Sequence, residues 1–386
     1  MKVVIDRSMI LPKLFYFFQY GAWASLGPYL VIYYQNLGLV GSQIGVLASI
    51  PPLMTLIGSP IWGGLADATR KTRALLGVAI TLTMGMVLVM SFTRSFWLLI
   101  PVVILYAFNN APIIPLVDST VMDMLGERRT QYGRQRLWGA IGWGVAAPIA
   151  GALIERYGLR WAFYAFLVQM FIVLLVTLRL PISPGGLGKR FWAGVRQLLH
   201  DKRWGVFLGV VFISGIGGSS IHNFLFLHLD GLGASETLMG IFLTVATLSE
   251  LPVFFFSDRM LNRWGARNLI AFSLFVFVLR AMAYAFIKSP WLSLPVQLLH
   301  GLTFSIMWAA GSMYARQIAP AGMGATAQSL FISTNFGLGA MAGALICGAL
   351  YQAIGSAGMY FWMGCAILAA AVAFVLLVRN QQEAGK

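Results

Sequence analysis

Apolar runs of about 20 residues recur from one end of this 386-residue chain to the other. Each is long enough to cross the ~30 Å hydrocarbon layer of a bilayer as a helix. Backbone polar groups in hydrocarbon must be satisfied within the structure, which leaves helices or a closed barrel. The runs are continuous rather than alternating, so helices are expected. Composition agrees, with 59% of residues hydrophobic and 10% charged, against roughly 25% charged in soluble domains. A water-soluble globule does not fit. The first run, Leu11 to Tyr34, exceeds the roughly 7–15 residue apolar core of a cleavable leader and has no clear small-residue cleavage site, so it reads as the first helix. Cys347 and Cys365 fall inside late apolar runs and read as small core residues.

Helical spans are expected at 11–35, 42–66, 73–92, 96–124, 134–155, 160–180, 205–229, 236–257, 268–287, 291–315, 326–353 and 357–378. The fold class that follows is an all-α membrane protein with twelve transmembrane helices. The widest polar interruption runs from Arg179 to Trp204. It divides the chain into an N-terminal six-helix half (1–181), a central loop (182–203) and a C-terminal six-helix half (204–386). Charge gives the orientation: 22 of the 27 Lys and Arg lie in segments on the side of the N-terminus. Such a bias places both termini and the central loop in the cytoplasm. The net charge of +15 then reflects topology, not a nucleic-acid footprint.

The halves also repeat. FWLLIPVVIL (96–105) matches PWLSLPVQLL (290–299) at an offset of 194, GALIERYG (151–158) matches GALYQAIG (348–355), and Leu37-Gly38 with Gly45 match Leu232-Gly233 with Gly240. Parallel repeats of six helices, related by an axis along the membrane normal, build a class of secondary transporters whose substrate sites lie near the bilayer midplane.

Ionised groups inside the apolar runs are the candidate functional residues. Asp118, Glu250 and Arg280 fall well inside expected helices, Arg136 about one turn in, and His222 and His300 join them as titratable groups. A charge at a helix centre costs on the order of 3 kcal/mol, so such residues face a cavity, find partners and mark a substrate or proton route. Glu127 lies midway between Asp118 and Arg136, so a hairpin there brings the two to similar depth. Pro290 stands midway between Arg280 and His300 in the same way. Trp143 follows Arg136 by seven residues, two turns on and on the same face. An arginine, an acid and an indole can fork, accept from and stack on a polar ring. The plainer reading makes Asp118 and Arg136 a helix-register pair, Trp143 packing and His300 a satisfied core histidine; His228 is expected at the membrane interface. Glu250, in TLSELPVFFF, has no base beside it in sequence and is the leading candidate for a carboxyl that gains and loses a proton. In helix 5, Ala140, Gly144 and Pro148 allow close helix contact. Pro112, Pro115, Asn109 and Asn110 are expected to loosen helix 4.

GGLADATRKTR (63–73) resembles the helix 2–3 motif of the major facilitator superfamily through Gly63, Asp67 and Lys71, with Ala68 and Arg70 where a basic residue and a second glycine are usual. PLVDSTVMDMLGERRTQYGRQRLWGAIGW resembles the helix 4–5 region of the lactose permease and phenylpropionate permease group, and LSELPVFFFSDRMLNRWG its helix 8. The resemblance runs through the whole chain and implies the major facilitator fold of two six-helix halves. It implies that Asp118, Arg136 and Trp143 hold a sugar and that Glu250 is the substrate and proton-coupling carboxylate. Arg280 and His300 match the group's helix 9 arginine and helix 10 histidine. Asp67 would act in a cytoplasmic gate with Gly63 and Lys71. Thr303 and Gln297 stand where lactose permease has a carboxylate and a lysine, so lactose itself is not expected.

The expected function is proton-coupled import of a small solute by a monomer in a bacterial-type inner membrane. A carbohydrate or glycoside comes first and an aromatic carboxylate second. Substrate binding is assigned to Asp118, Arg136, Trp143, Glu250 and His222, and proton coupling to Glu250, Arg280 and His300. A proton-antiporting exporter and a non-transporting sensor are the other readings. The partners are the solute, the proton and lipid, with no nucleic acid, metal or cofactor. No P-loop, G-x-S-x-G or H-E-x-x-H motif points to an enzyme.

Overall fold

In the computed structural model, which describes residues 9–181, 202–320 and 323–383, the apolar runs are helices and no strand occurs among the described residues. The helices are α1 (Ile10–Asn36), α2 (Gly41–Thr69), α3 (Thr72–Phe92), α4 (Phe96–Asn110), α5 (Ile113–Leu125), α6 (Tyr132–Tyr157) and α7 (Arg160–Arg179), then α8 (Lys202–Gly231), α9 (Glu236–Phe286), α10 (Pro290–Ser293), α11 (Ile306–Gln317), α12 (Gly324–Ile332) and α13 (Ala340–Glu383). Residues 182–201, nearly all of the expected central loop, lie outside the described residues. The expected helix 4 is one apolar stretch, Phe96–Arg128, loosened at Ala111-Pro112, where both residues keep helical dihedrals and α4 gives way to α5.

Among the described residues, nine helical stretches are long and apolar enough to cross a membrane. Two of them, Glu236–Phe286 and Thr326–Leu376, have 51 residues. At 1.5 Å per residue that is about 76 Å of helix, more than twice a bilayer core. Both break where Gly265 and Gly355 take φ of 73°. Pro28, Pro101, Pro148 and Pro252 sit inside helices, a position that membrane helices tolerate when neighbours satisfy the freed carbonyls.

The described chain clusters into two compact units. The first holds residues 9–39, 53–181 and 235–244; the second holds 40–52, 202–234 and the described part of 245–383. Within each, the glycines of the sequence repeat make equivalent contacts. In the first unit a Cβ on Gly151 would meet the Glu236 carbonyl and one on Gly240 the Ala147 carbonyl. In the second, Gly348 stands in the same relation to Gly41 and Gly45 to Ala344. Gly38 (φ 80°) and Gly233 (φ 78°) end α1 and α8 with the same turn. Short apolar strings that match by chance would not reproduce contacts of this kind.

One repeat partner is not a glycine. Arg70 has φ 56°, the left-handed region, at the position 195 residues before Gly265, whose φ is 73°. It is also the position where the superfamily motif carries its second glycine. A side chain in that conformation costs about 1–2 kcal/mol, offset by the roughly 0.5–1 kcal/mol of extra chain entropy that glycine loses on folding. Arg70→Gly should therefore stabilise the protein by about 0.5–1 kcal/mol, read as a higher unfolding temperature in a lipid-free detergent. An unchanged or lower value would show that the Arg70 side chain makes up for its backbone.

Candidate functional site

The first unit places Asp118 (α5) and Arg136 (α6) in contact, with Arg136 Nη1 donating to both carboxylate oxygens at 3.1 and 3.2 Å. Tyr16 of α1 donates its hydroxyl to the same carboxylate at 2.7 Å. The guanidinium lies over the rings of Tyr20 and Tyr16, at 4.9 and 5.6 Å from their centroids. The packing of α1 on α6 creates this arrangement. A Cβ on Gly142 would overlap the Phe17 carbonyl, and one on Gly139 would come within 2.7 Å of the Tyr20 ring. The pair is not sealed off: the Arg136 side chain is 36% exposed and that of Asp118 28%. One guanidinium nitrogen makes both contacts, so Arg136 keeps donors to spare. Trp143 is half-buried two turns further along α6. Gly144 accepts from Thr244 at 2.7 Å, so part of the small-residue row expected in helix 5 packs on Glu236–Thr244, as Gly240 does on Ala147.

In the second unit Glu250, His300 and Arg280 form a chain. Glu250 Oε1 is 3.1 Å from His300 Nε2, and His300 Nδ1 is 2.9 Å from Arg280 Nη1. Arginine can only donate, so Nδ1 accepts, and the ring carries its proton on Nε2 and donates it to Glu250. Glu250 has no base beside it in sequence; in the fold His300, from a segment fifty residues away, stands against it. Contact depends on a close approach at Gly301, where a Cβ would collide with the Ser249 carbonyl, and Gly301 N–H donates to Ser249 Oγ at 2.9 Å. Gly301–Ser305 is a π-helical turn, a distortion frequent at functional sites.

Arg280 is 1% exposed. It donates to Gln297 and to Thr303 Oγ1 at 3.2 Å, with Tyr284 5.8 Å beneath it. The two residues that depart from the lactose permease pattern are thus the ones that hold this arginine. Glu250 stands one side chain further along, on the far side of His300. The ring of His300 stacks on Phe304 at 5.4 Å, and its side chain is 23% exposed beside 19% for Glu250. His222 is exposed on α8. His228, in the last turn of α8, is buried, bonded to Ser356 at 2.8 Å and edge-on to Tyr284 and Tyr360.

Gly63 is buried in α2, Asp67 half-buried near its end and Lys71 exposed in the turn that follows. Sequence reasoning missed Tyr16, Tyr20 and Tyr284. For the first two a signal existed. YFFQYGAW puts Tyr16, Tyr20 and Trp23 along one face at helical spacing, in the long helix that falls outside the nine apolar stretches.

The sequence matches the model of the MFS_1 like family over residues 9–363. Maltose permease of Geobacillus stearothermophilus is 29% identical over 383 residues, covering 98% of this chain and 97% of the permease. The probable 3-phenylpropionic acid transporter of Escherichia coli strain K12 is 24% identical over 322 residues, 81% of this chain and 83% of that protein. Among solved structures, the nucleoside transporter NupG superposes with a TM-score of 0.87 at 18% identity, over 96% of this chain and 99% of NupG. That likeness is one of fold.

Proposed function

This chain belongs to the MFS_1 like family, a multi-pass membrane transporter of the major facilitator type, and from that premise we propose that it imports a neutral, carbohydrate-like solute together with a proton. The observation that carries the substrate class is the Asp118–Arg136 pair. It offers acceptors and spare donors beside tyrosine rings, with its charges cancelled. Hydroxyl groups on a ring suit such a site. A free carboxylate does not, because the accessible arginine is already neutralised and Arg280 is buried. The whole-length similarity to a maltose permease supports the same class.

Asp118, Arg136 and Trp143 hold the solute in this reading, and Glu250 carries the proton with His300 and Arg280 positioning it. Gly63, Asp67 and Lys71 serve a gate. In this reading the two apolar stretches that bend at Gly265 and Gly355 each cross twice, and they, the other seven and α1 make up the twelve crossings. The positive-charge bias supports cytoplasmic termini in a bacterial-type inner membrane.

A thermal-shift screen of glycosides against aromatic acids tests the class, since a ligand at 100 Kd adds about 2.7 kcal/mol of stability. Trp143 sharpens it. For a sugar, Trp143→Phe should keep part of the affinity and Trp143→Ala little, because the indole is a platform for the apolar face of a pyranose. If instead an acid binds, its amide does not, and Trp143→Ala is silent, the substrate is an aromatic carboxylate.

A further inference from the structure

A surface groove of the first unit, sharing only Lys71 with the residues assigned above, lies between α3 and α7 with a volume of about 880 Å³. Val78 and Leu82 of α3 form one wall, Leu174 and Leu178 of α7 the other. Gly77 leaves the floor open: a Cβ there would meet only the Leu174 side chain, at 3.9 Å. Arg70, Lys71 and Arg73 line one end, and no acid is among the lining residues. All three are exposed. Arg73 is anchored by a 2.8 Å bond from Nη2 to the Leu180 carbonyl. From Thr72 to Leu82 the groove follows ten residues of helix, about 15 Å. That is half of the ~30 Å hydrocarbon core, the depth of one leaflet.

We propose that this groove binds one anionic phospholipid, with the phosphate among Arg70, Lys71 and Arg73 and an acyl chain along Val78, Leu82, Leu174 and Leu178. Charge complementarity selects the headgroup. A zwitterionic lipid brings its own cation to a cluster that already holds three. The apolar walls select a lipid over a free phosphate, for which they do nothing.

The test titrates phosphatidylglycerol, phosphatidylcholine and soluble glycerol phosphate into the full chain in detergent, with bound species counted by native mass spectrometry. Wild type should prefer phosphatidylglycerol and ignore glycerol phosphate. Arg70→Gln with Lys71→Gln should weaken phosphatidylglycerol about 30-fold, at ~1 kcal/mol per basic residue. Gly77→Leu fills the floor without changing charge and should weaken it at least several-fold. The control is Arg259→Gln with Arg263→Gln, two exposed arginines of the second unit that lie over Phe256 and Trp264. It removes the same net charge and should leave the affinity within about twofold. Unchanged binding in either groove variant that still unfolds cooperatively overturns the proposal. So does an equal loss in the control pair, which would reduce the effect to net charge, or tight binding of glycerol phosphate.

Discussion

A Glu250→Gln variant in proteoliposomes is expected to lose uphill accumulation while still exchanging substrate across the membrane. A proton crossing ~100 mV gains about 2.3 kcal/mol, which at 1.36 kcal/mol per decade sustains roughly 50-fold accumulation. The measured ratio should fall from tens to about one. In the proposed mechanism the proton goes to Glu250 rather than His300 for a geometric reason. His300 Nδ1 is occupied by a donor that cannot give up its proton, Arg280 Nη1 at 2.9 Å, and Nε2–H already points at the carboxylate at 3.1 Å. In this proposed mechanism a proton arriving on Glu250 leaves the buried Arg280 without a balancing charge, and that imbalance would couple proton to conformation. Glutamine holds the site permanently neutral but still accepts from His300, and Arg280 keeps Gln297 and Thr303. Folding should survive. In His300→Gln the carboxyl remains, so accumulation should weaken without vanishing. Full accumulation in Glu250→Gln would move the proton elsewhere, with Asp118 the next carboxyl to test.

Arg136→Lys and Asp118→Asn should each weaken substrate binding at least tenfold, about 1.4 kcal/mol, as measured by calorimetry on purified protein. Lysine retains the charge and can still reach Asp118. It loses the planar fork whose unused donors are available to a ligand, and the flat stacking over Tyr16 and Tyr20. Asparagine keeps the shape of Asp118 but leaves the arginine uncompensated. Thermal stability should move far less than affinity. With roughly a third of each side chain exposed, the pair itself is worth only about 1 kcal/mol. That contrast separates a binding pair from a register pair. Affinity that stays normal in both variants, alongside a clear drop in stability, would make the pair a device of helix packing.

Much of this protein was legible in the sequence because hydrocarbon is an unforgiving solvent. It demands helices of a set length, so the apolar runs mark them, and it makes every internal charge costly, so Asp118, Arg136, Glu250, Arg280 and His300 stand out by type alone. The repeat was visible too, and the matched contacts of Gly151 and Gly348 and of Gly240 and Gly45 follow it. Partners separated along the chain were less accessible. Asp118 with Arg136, and Arg280 with His300, could be paired because a hairpin equalises depth within one connection. Glu250 with His300 could not, nor could Tyr16 and Tyr20 with Arg136. Those meetings depend on which faces of non-adjacent helices come together, and on missing side chains at Gly301, Gly139 and Gly142 that let backbones close in. Periodicity carries depth and face for one helix at a time. Which helix lies across from it is decided by packing over the whole bundle, and so only the tertiary structure shows that Glu250 meets His300 and that Arg280, among the described residues, bonds to His300, Gln297 and Thr303.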